Sequence, residues 1–209
     1  ATYKRGELIF RDIERAAKMF GSPDRPIQLI IAGKAHPNDA PGKEVIQRVL
    51  QAMRDERLCG RVIFVENYDM AIGRALTSGV DVWLNNPRRP REASGTSGEK
   101  VPLQGGVNLS ILDGWWVEGY RGDNGFVIGD EHVPDSTDEQ DFRDLEGLYA
   151  VLEQQVIPSY YAEPGGGRSA DWMARVRASF VSLSSQFSTR RMLRDYTSHY
   201  YESITANQR

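Results

Sequence analysis

The sequence predicts an α/β fold: a parallel sheet with helices on both faces and further helices at the C-terminus. Three observations predict it. Short apolar runs recur at residues 27–32, 62–65, 80–84, 108–112 and 126–128, the pattern of strands buried on both faces. Helical patterns separate the first of these runs, and strands alternating with helices build parallel sheets through right-handed crossovers. Polar segments follow the first four runs, at 33–37, 66–68, 85–100 and 113–119. In a parallel sheet all four segments leave from the carboxyl edge, where ligands bind.

Taken in order, Leu8, Ile9, Phe10, Ile13, Ala16, Ala17 and Phe20 recur at helical spacing, and the segment 21–24 breaks that helix with glycine and proline. The first strand follows at 27–32. A loop through His36 leads to a helix near 43–57, then the second strand at 62–65 and a short helix at 70–76. The third strand, 80–84, ends in a long proline-bearing loop. The fourth and fifth strands follow at 108–112 and 126–128. Residues 130–141 are acidic and predict a loop. Phe142, Leu145, Leu148, Tyr149, Leu152 and Val156 then repeat at three and four, predicting an amphipathic helix that ends at Pro158. The glycines at 165–167 predict a flexible break. Trp172, Val176, Phe180 and Leu183 mark another helix, and Met192, Tyr196 and Tyr200 a last one. The expected division is a sheet domain over 1–158 with a helical extension over 159–209 packed on it.

The chain has 209 residues, 40% hydrophobic and 26% charged, which is the composition of a soluble globular protein. A net charge of −3 supplies no basic field for nucleic acid. No run of 18 apolar residues exists, so no membrane partner is expected. The single cysteine, Cys59, permits no internal disulfide and fits a reducing, cytoplasmic setting. The opening at Ala1 falls in the middle of a pattern, which suggests a piece of a longer protein.

The loop after the third strand carries the densest chemistry. Gly95 and Gly98 bracket Thr96 and Ser97, and Lys100 follows. Small residues let backbone N–H groups approach an anion, and a helix starting there adds its positive end. A lysine in that setting is either an anion partner or a nucleophilic amine, and on spacing alone a solvated lysine is the commoner outcome. Arg88, Arg89 and Arg91 form a basic cluster that a solvated loop explains. Trp115 and Trp116 suit packing more than sugar stacking. His36 faces the same edge but lacks partners for a metal site.

The order Glu92-Ala-Ser-Gly-Thr-Ser-Gly-Glu-Lys100, then Asn108-Leu-Ser, then Asp113-Gly-Trp-Trp-Val-Glu-Gly119, resembles the cofactor segment of the α-glucan (glycogen) phosphorylases, especially their short bacterial and archaeal branch. Thr2-Tyr-Lys-Arg5, Gly33-Lys-Ala-His-Pro37 and Glu66-Asn-Tyr68 match the same family, so the likeness covers roughly residues 1–130. The segment 187–196 is also similar. The resemblance implies a Rossmann-like domain, the C-terminal half of a two-domain GT-B glycosyltransferase. It implies a hexosyltransferase reaction in which orthophosphate cleaves an α-1,4-glucan to α-glucose 1-phosphate. It implies that Lys100 carries pyridoxal 5′-phosphate as a Schiff base, that Thr96, Ser97 and Tyr68 surround the cofactor phosphate, that Glu92, Ser94 and Gly95 bind the glucosyl unit, and that Lys4 contacts the substrate phosphate as a catalytic group. It further implies an N-terminal domain as partner and leaves a homo-oligomer open. Glu99 stands where the animal enzymes of the family carry an apolar residue, and Asp69 where the family often has an arginine. A nucleotide-sugar glycosyltransferase of the same fold, and a non-catalytic module binding glucan or cofactor, are the competing readings.

Overall fold

The computed structural model describes residues 1–162 and 168–201. The glycine break expected at 165–167 lies outside the described residues. The chain enters through two short 3₁₀ turns, Thr2–Lys4 and Leu8–Arg11. Asp12 then accepts the N–H of Arg15 at 2.9 Å and opens α1 (Ile13–Phe20). The single helix expected over 8–20 is therefore split, because an N-cap carboxylate satisfies the free N–H groups of a new helix start. β1 (Leu29–Ala32), α2 (Ala40–Ala52), β2 (Val62–Val65), α3 (Met70–Gly79) and β3 (Val82–Asn85) follow. Asp39 and Asp69 cap α2 and α3, accepting from Gly42 and Ile72. After β3 come α4 (Thr96–Lys100), β4 (Val107–Ile111), α5 (Trp115–Gly119) and β5 (Phe126–Ile128).

α6 (Thr137–Val151) starts earlier than the sequence predicts. Ser136 accepts the N–H of Glu139 at 3.4 Å, so residues 137–141 are helical and not loop. Nor does the helix stop at Pro158. It widens through Leu152–Val156 and continues as α7 (Ile157–Tyr160), so that Pro158, which has no N–H to donate, follows directly on the widened turn. α8 (Ala170–Gln186) and α9 (Thr189–Tyr196) complete the fold, each capped by a serine, Ser169 and Ser188. Among the described residues, no helix is long and apolar enough to cross a membrane.

All strand pairings are parallel, as expected. Among the described residues the five strands form two sheets, however, with orders β1-β2 and β3-β4-β5. One core serves both. Leu29, Ile31 and Val62 from the first sheet join Val107, Leu109, Ile111 and Phe126 from the second. Ala16, Ala17 and Phe20 of α1, with Leu148 and Tyr149 of α6, lie over them. β4 is buried along its whole length. β1 and β2 are not buried on both faces, against expectation: the register partners Ile30 and Ile63 are 39% and 36% exposed. Helix α1 and Leu58 cover one face of that pair, while these two isoleucines lie on the other. A second cluster joins Trp115 and Trp116 of α5 to Leu183 of α8, with Phe187 packed against it. Trp172 of α8 is fully buried in the main core. Phe142, expected on the buried stripe of α6, is 64% exposed.

Candidate functional site

The site is built where β3 and β4 end. Asn85 closes β3, and its Nδ2 donates to Ser110 Oγ at 3.3 Å on β4. The loop leaving β3 is pinned onto the loop leaving β4. Asp113 Oδ2 accepts the N–H of Glu92 at 2.9 Å, and Oδ1 accepts that of Gly114 at 3.0 Å. Trp115 N–H donates to Ser94 O at 2.9 Å. Only glycine serves at 114: φ is 56° with ψ −136°, and a Cβ there would lie 2.4 Å from Ser94 O. Gly95 has φ 99°, and a Cβ would lie 3.0 Å from the Trp115 ring. Asn108, central on β4, donates through Nδ2 to Gly98 O at 3.0 Å and holds α4 down on the sheet.

Against that frame the expected residues fall into three groups. Lys4 and Glu92, 88 positions apart, form an ion pair in which the glutamate side chain is 6% and the lysine side chain 41% exposed. Ser94 and Gly95 lie in the same loop, and Ser94 Oγ donates to Glu99 Oε1 at 3.4 Å. Thr96, Ser97 and Lys100 form the second group. Lys100 Nζ donates to Thr96 O at 2.6 Å and is exposed. α4 has only five residues, too few peptide units for a strong helix dipole. Attraction for an anion there falls to individual N–H groups and to Lys100. Tyr68, the third group, sits before α3 with its hydroxyl directly against Gly73. α3 packs on α4, but among the described residues Tyr68 bonds to neither lysine.

Two arginines expected in a solvated loop are held in the structure instead, Arg88 half-buried and Arg89 buried. Arg88 donates to Asp141 at 2.6 and 3.1 Å, and Arg89 is only 7% exposed. The anchor is Arg5, which sequence reasoning left without a role. It takes a left-handed conformation at φ 50° and is 2% exposed. Its guanidinium donates to Asn86 O at 3.0 Å, Pro87 O at 2.8 Å and Asp141 Oδ1 at 2.9 Å. It also lies 2.8 Å from Asp144 Oδ2, a charge contact without hydrogen-bond geometry. Arg11 reaches Asp141 from the outside at 2.7 Å. Burial pushes the Asp141 carboxyl up, but Arg88 and Arg5 outweigh it and hold the group below its ordinary value. For Asp144 burial wins over Arg5, and the carboxyl is raised. This network fixes the residue next to Lys4 and both ends of the 86–88 stretch that leads to Glu92.

Asp141 was readable in part. Ser136 and Glu139 are spaced as a capping box, which marks a helix start just before it. Nothing in the sequence pairs Arg5 with a carboxylate 136 residues away. Trp116 is fully buried with its Nε1 donating to Phe126 O at 3.2 Å, and Trp115 meets Phe187 edge to face. Both pack, as expected. His36 is exposed, and its Nδ1 accepts the N–H of Asn38 at 3.1 Å. Among the described residues no cluster of three metal-ligating side chains forms.

The sequence profile of the carbohydrate phosphorylase family matches residues 3–136. The chain is similar to a maltodextrin phosphorylase of Thermococcus litoralis, 47% identical over 207 residues, which are 99% of this chain and 24% of that protein. It is similar to a glycogen phosphorylase of Aquifex aeolicus, 45% identical over 97% of this chain and 29% of the relative. A glycogen phosphorylase of Mycobacterium tuberculosis is 44% identical over 96% of this chain and 23% of the relative. The chain thus spans about a quarter of the length of these relatives.

Proposed function

The chain belongs to the carbohydrate phosphorylase family, and on that premise we propose that it is the cofactor-bearing part of an α-glucan phosphorylase. The relatives named for glycogen and maltodextrin support an α-1,4-glucan as substrate. In the reaction, an orthophosphate oxygen bonds to the anomeric carbon of the terminal glucosyl unit. The glycosidic bond breaks, its oxygen takes a proton, and α-glucose 1-phosphate is released with a glucan one unit shorter.

The observation that carries the reading is the pairing of Lys4 with the nearly buried Glu92, beside a glycine loop pinned on the carboxyl edge. Two opposite charges held together there suit a neutral sugar next to an anion. Glu92 accepts hydrogen bonds from glucosyl hydroxyls, and a carboxylate makes such bonds strongly. Lys4 offers its ammonium to the substrate phosphate. Ser94 and Gly95 shape the wall of the sugar site, with the Ser94 carbonyl already engaged by Trp115.

The donor set also fits pyridoxal 5′-phosphate. Gly95, at φ 99°, and Gly98, where a Cβ would lie 2.8 Å from Asn108 Oδ1, leave the backbone of this loop open to close approach. Lys100 presents a primary amine at the end of the loop, and Thr96 and Ser97 present hydroxyls and N–H groups for a phosphate. When bound, the group supplies a phosphate able to exchange a proton with the substrate phosphate. Tyr68 closes the same side through the packing of α3 on α4. The missing walls of the cleft belong to a preceding domain of the longer protein.

Full-length protein incubated with maltodextrin and orthophosphate should release α-glucose 1-phosphate, and Glu92→Gln should lower that rate by about 10²–10³, as loss of one preorganised polar partner does. Glucosyl transfer from a nucleotide sugar, with no phosphorolysis, would replace this reading by the glycosyltransferase one.

A further inference from the structure

On the reading above, Lys4 and Glu92 serve different ligands, the lysine a phosphate and the glutamate a sugar. They nevertheless bind each other, Lys4 Nζ to Glu92 Oε2. Among the described residues neither has another ion-pair partner. The two ligands of the site therefore compete with one internal contact, and what happens to one half of that contact decides what the other half can do.

The surroundings say which half yields. Glu92 is fixed. Its N–H is tied to Asp113 Oδ2 at 2.9 Å, and its Cγ lies 3.0 Å from the place a Cβ on Gly114 would take. Its side chain is 6% exposed. The backbone at Lys4 is fixed as well: Tyr3 O accepts the Arg88 N–H at 2.7 Å, and Arg5 donates to Asn86 O at 3.0 Å and Pro87 O at 2.8 Å. The Lys4 side chain is the movable part. It is 41% exposed, and its ammonium rides on a flexible four-carbon stem, 5.4 Å from the centre of the Tyr3 ring. Breaking the pair is a swing of this one side chain, with Glu92 left in place.

We propose that the Lys4–Glu92 pair is a latch that couples the binding of phosphate and sugar, an inference that rests on the phosphorylase reading above. Lys4 covers Glu92 Oε2, while Oε1 lies beside Gly95, where a Cβ would stand 3.6 Å away. A sugar ring presents neighbouring hydroxyls that suit both oxygens of one carboxylate, so the full set of bonds to Glu92 forms once the lysine has left. Phosphate offers the ammonium a partner of higher charge than one carboxylate and draws it away. Phosphate thereby tightens the sugar, and by linkage the sugar tightens phosphate by the same factor. A glucosyl unit is held firmly when phosphate is present to attack it, which disfavours water as the acceptor.

The test titrates the full-length protein with two probes, orthophosphate and 1,5-anhydroglucitol, a glucosyl unit with no bond at the anomeric carbon to cleave. Calorimetry gives the affinity of each alone and in the presence of the other at saturation. Each should tighten the other by about tenfold, with equal factors in the two directions. Lys4→Met should bind 1,5-anhydroglucitol without phosphate about tenfold more tightly than the unsubstituted protein does, and phosphate should no longer change that affinity. Both probes binding to the unsubstituted protein, each indifferent to the other, would overturn the latch and leave the phosphorylase reading standing. Weaker sugar binding by Lys4→Met would also overturn the latch. Binding of neither probe would remove the phosphorylase reading and the latch with it.

Discussion

At the scale of single residues, the site depends on groups that never meet a substrate. Arg5 is 2% exposed, and its guanidinium satisfies two backbone carbonyls and a carboxylate at once. Arg5→Met leaves Asp141 buried with Arg88 and Arg11 only, and strips Asn86 and Pro87 of their donor. Breaking a buried pair from one side costs about 3–5 kcal/mol, which urea unfolding at neutral pH should reveal. Asp141 sets a pH signature. Its folded value is depressed, so its contribution is complete above the ordinary carboxylate range and is lost as pH falls through that range and below it. Asp144 works in the opposite sense, since its raised value makes the charged form costly as pH rises through the carboxylate range. Asp141→Asn should lower stability at pH 7 and flatten the acid limb of the unfolding profile. An acid limb identical to the unsubstituted protein would remove Asp141 as its source. The sequence revealed the motif residues around Gly95 but not this layer, because ion pairs between distant segments leave no periodicity to read.

At the scale of elements, legibility follows how strongly local chemistry dictates the outcome. β4 reads as a buried strand and is one: Val107, Leu109 and Ile111 fill one face, and Asn108 and Ser110 are buried through their hydrogen bonds on the other. β1 and β2 are wholly apolar, yet Ile30 and Ile63 are partly exposed on one face. Composition reports what a strand could bury, not what covers it. α6 shows the converse error. The spacing places Phe142 and Leu148 on one stripe, but the helix begins at Thr137, and its buried face also carries Gln140, Asp141 and Asp144. That polar sector displaces Phe142 to the solvent side. Leu148→Ala should therefore cost about 2–5 kcal/mol, as emptying a filled core position does. Phe142→Ser, with 64% of the residue already exposed, should stay within about 0.5 kcal/mol. Thermal unfolding of the two variants side by side checks the ordering, and a Phe142 variant as damaged as the Leu148 variant would mean that another surface covers this phenylalanine.

At the scale of the whole molecule, the carboxyl edge is an open face. Lys100 is exposed, Lys4 is 41% exposed at its side chain, and the loop that holds Glu92 is backed by the sheet on one side only. A cavity of about 570 Å³ does exist, but Glu7, Phe10, Arg11 and Arg48 line it, between the N-terminal turns and α2, away from Lys100. Apolar side chains also remain uncovered on α9, where Met192 is 40% and Leu193 55% exposed. Phosphoryl chemistry at a glycosidic bond needs preorganised charges around the reacting phosphate, and each one lost costs about 10²–10³ in rate. On the proposed reading, the described residues supply the Lys4 and Lys100 ammonium groups, the Glu92 carboxylate and the loop between Gly95 and Lys100, all on one wall. Expressed alone, residues 1–209 should therefore release no measurable α-glucose 1-phosphate from maltodextrin, while the full-length protein does so under the same conditions. Lys100→Ala in the full-length protein should remove both the pyridoxal chromophore and the activity without lowering the unfolding temperature of the ligand-free form, since among the described residues this exposed side chain bonds to Thr96 O alone. Borohydride reduction followed by peptide mapping locates the modified lysine, and a pyridoxyl group on any lysine other than Lys100 would refute the assignment of the cofactor to this loop.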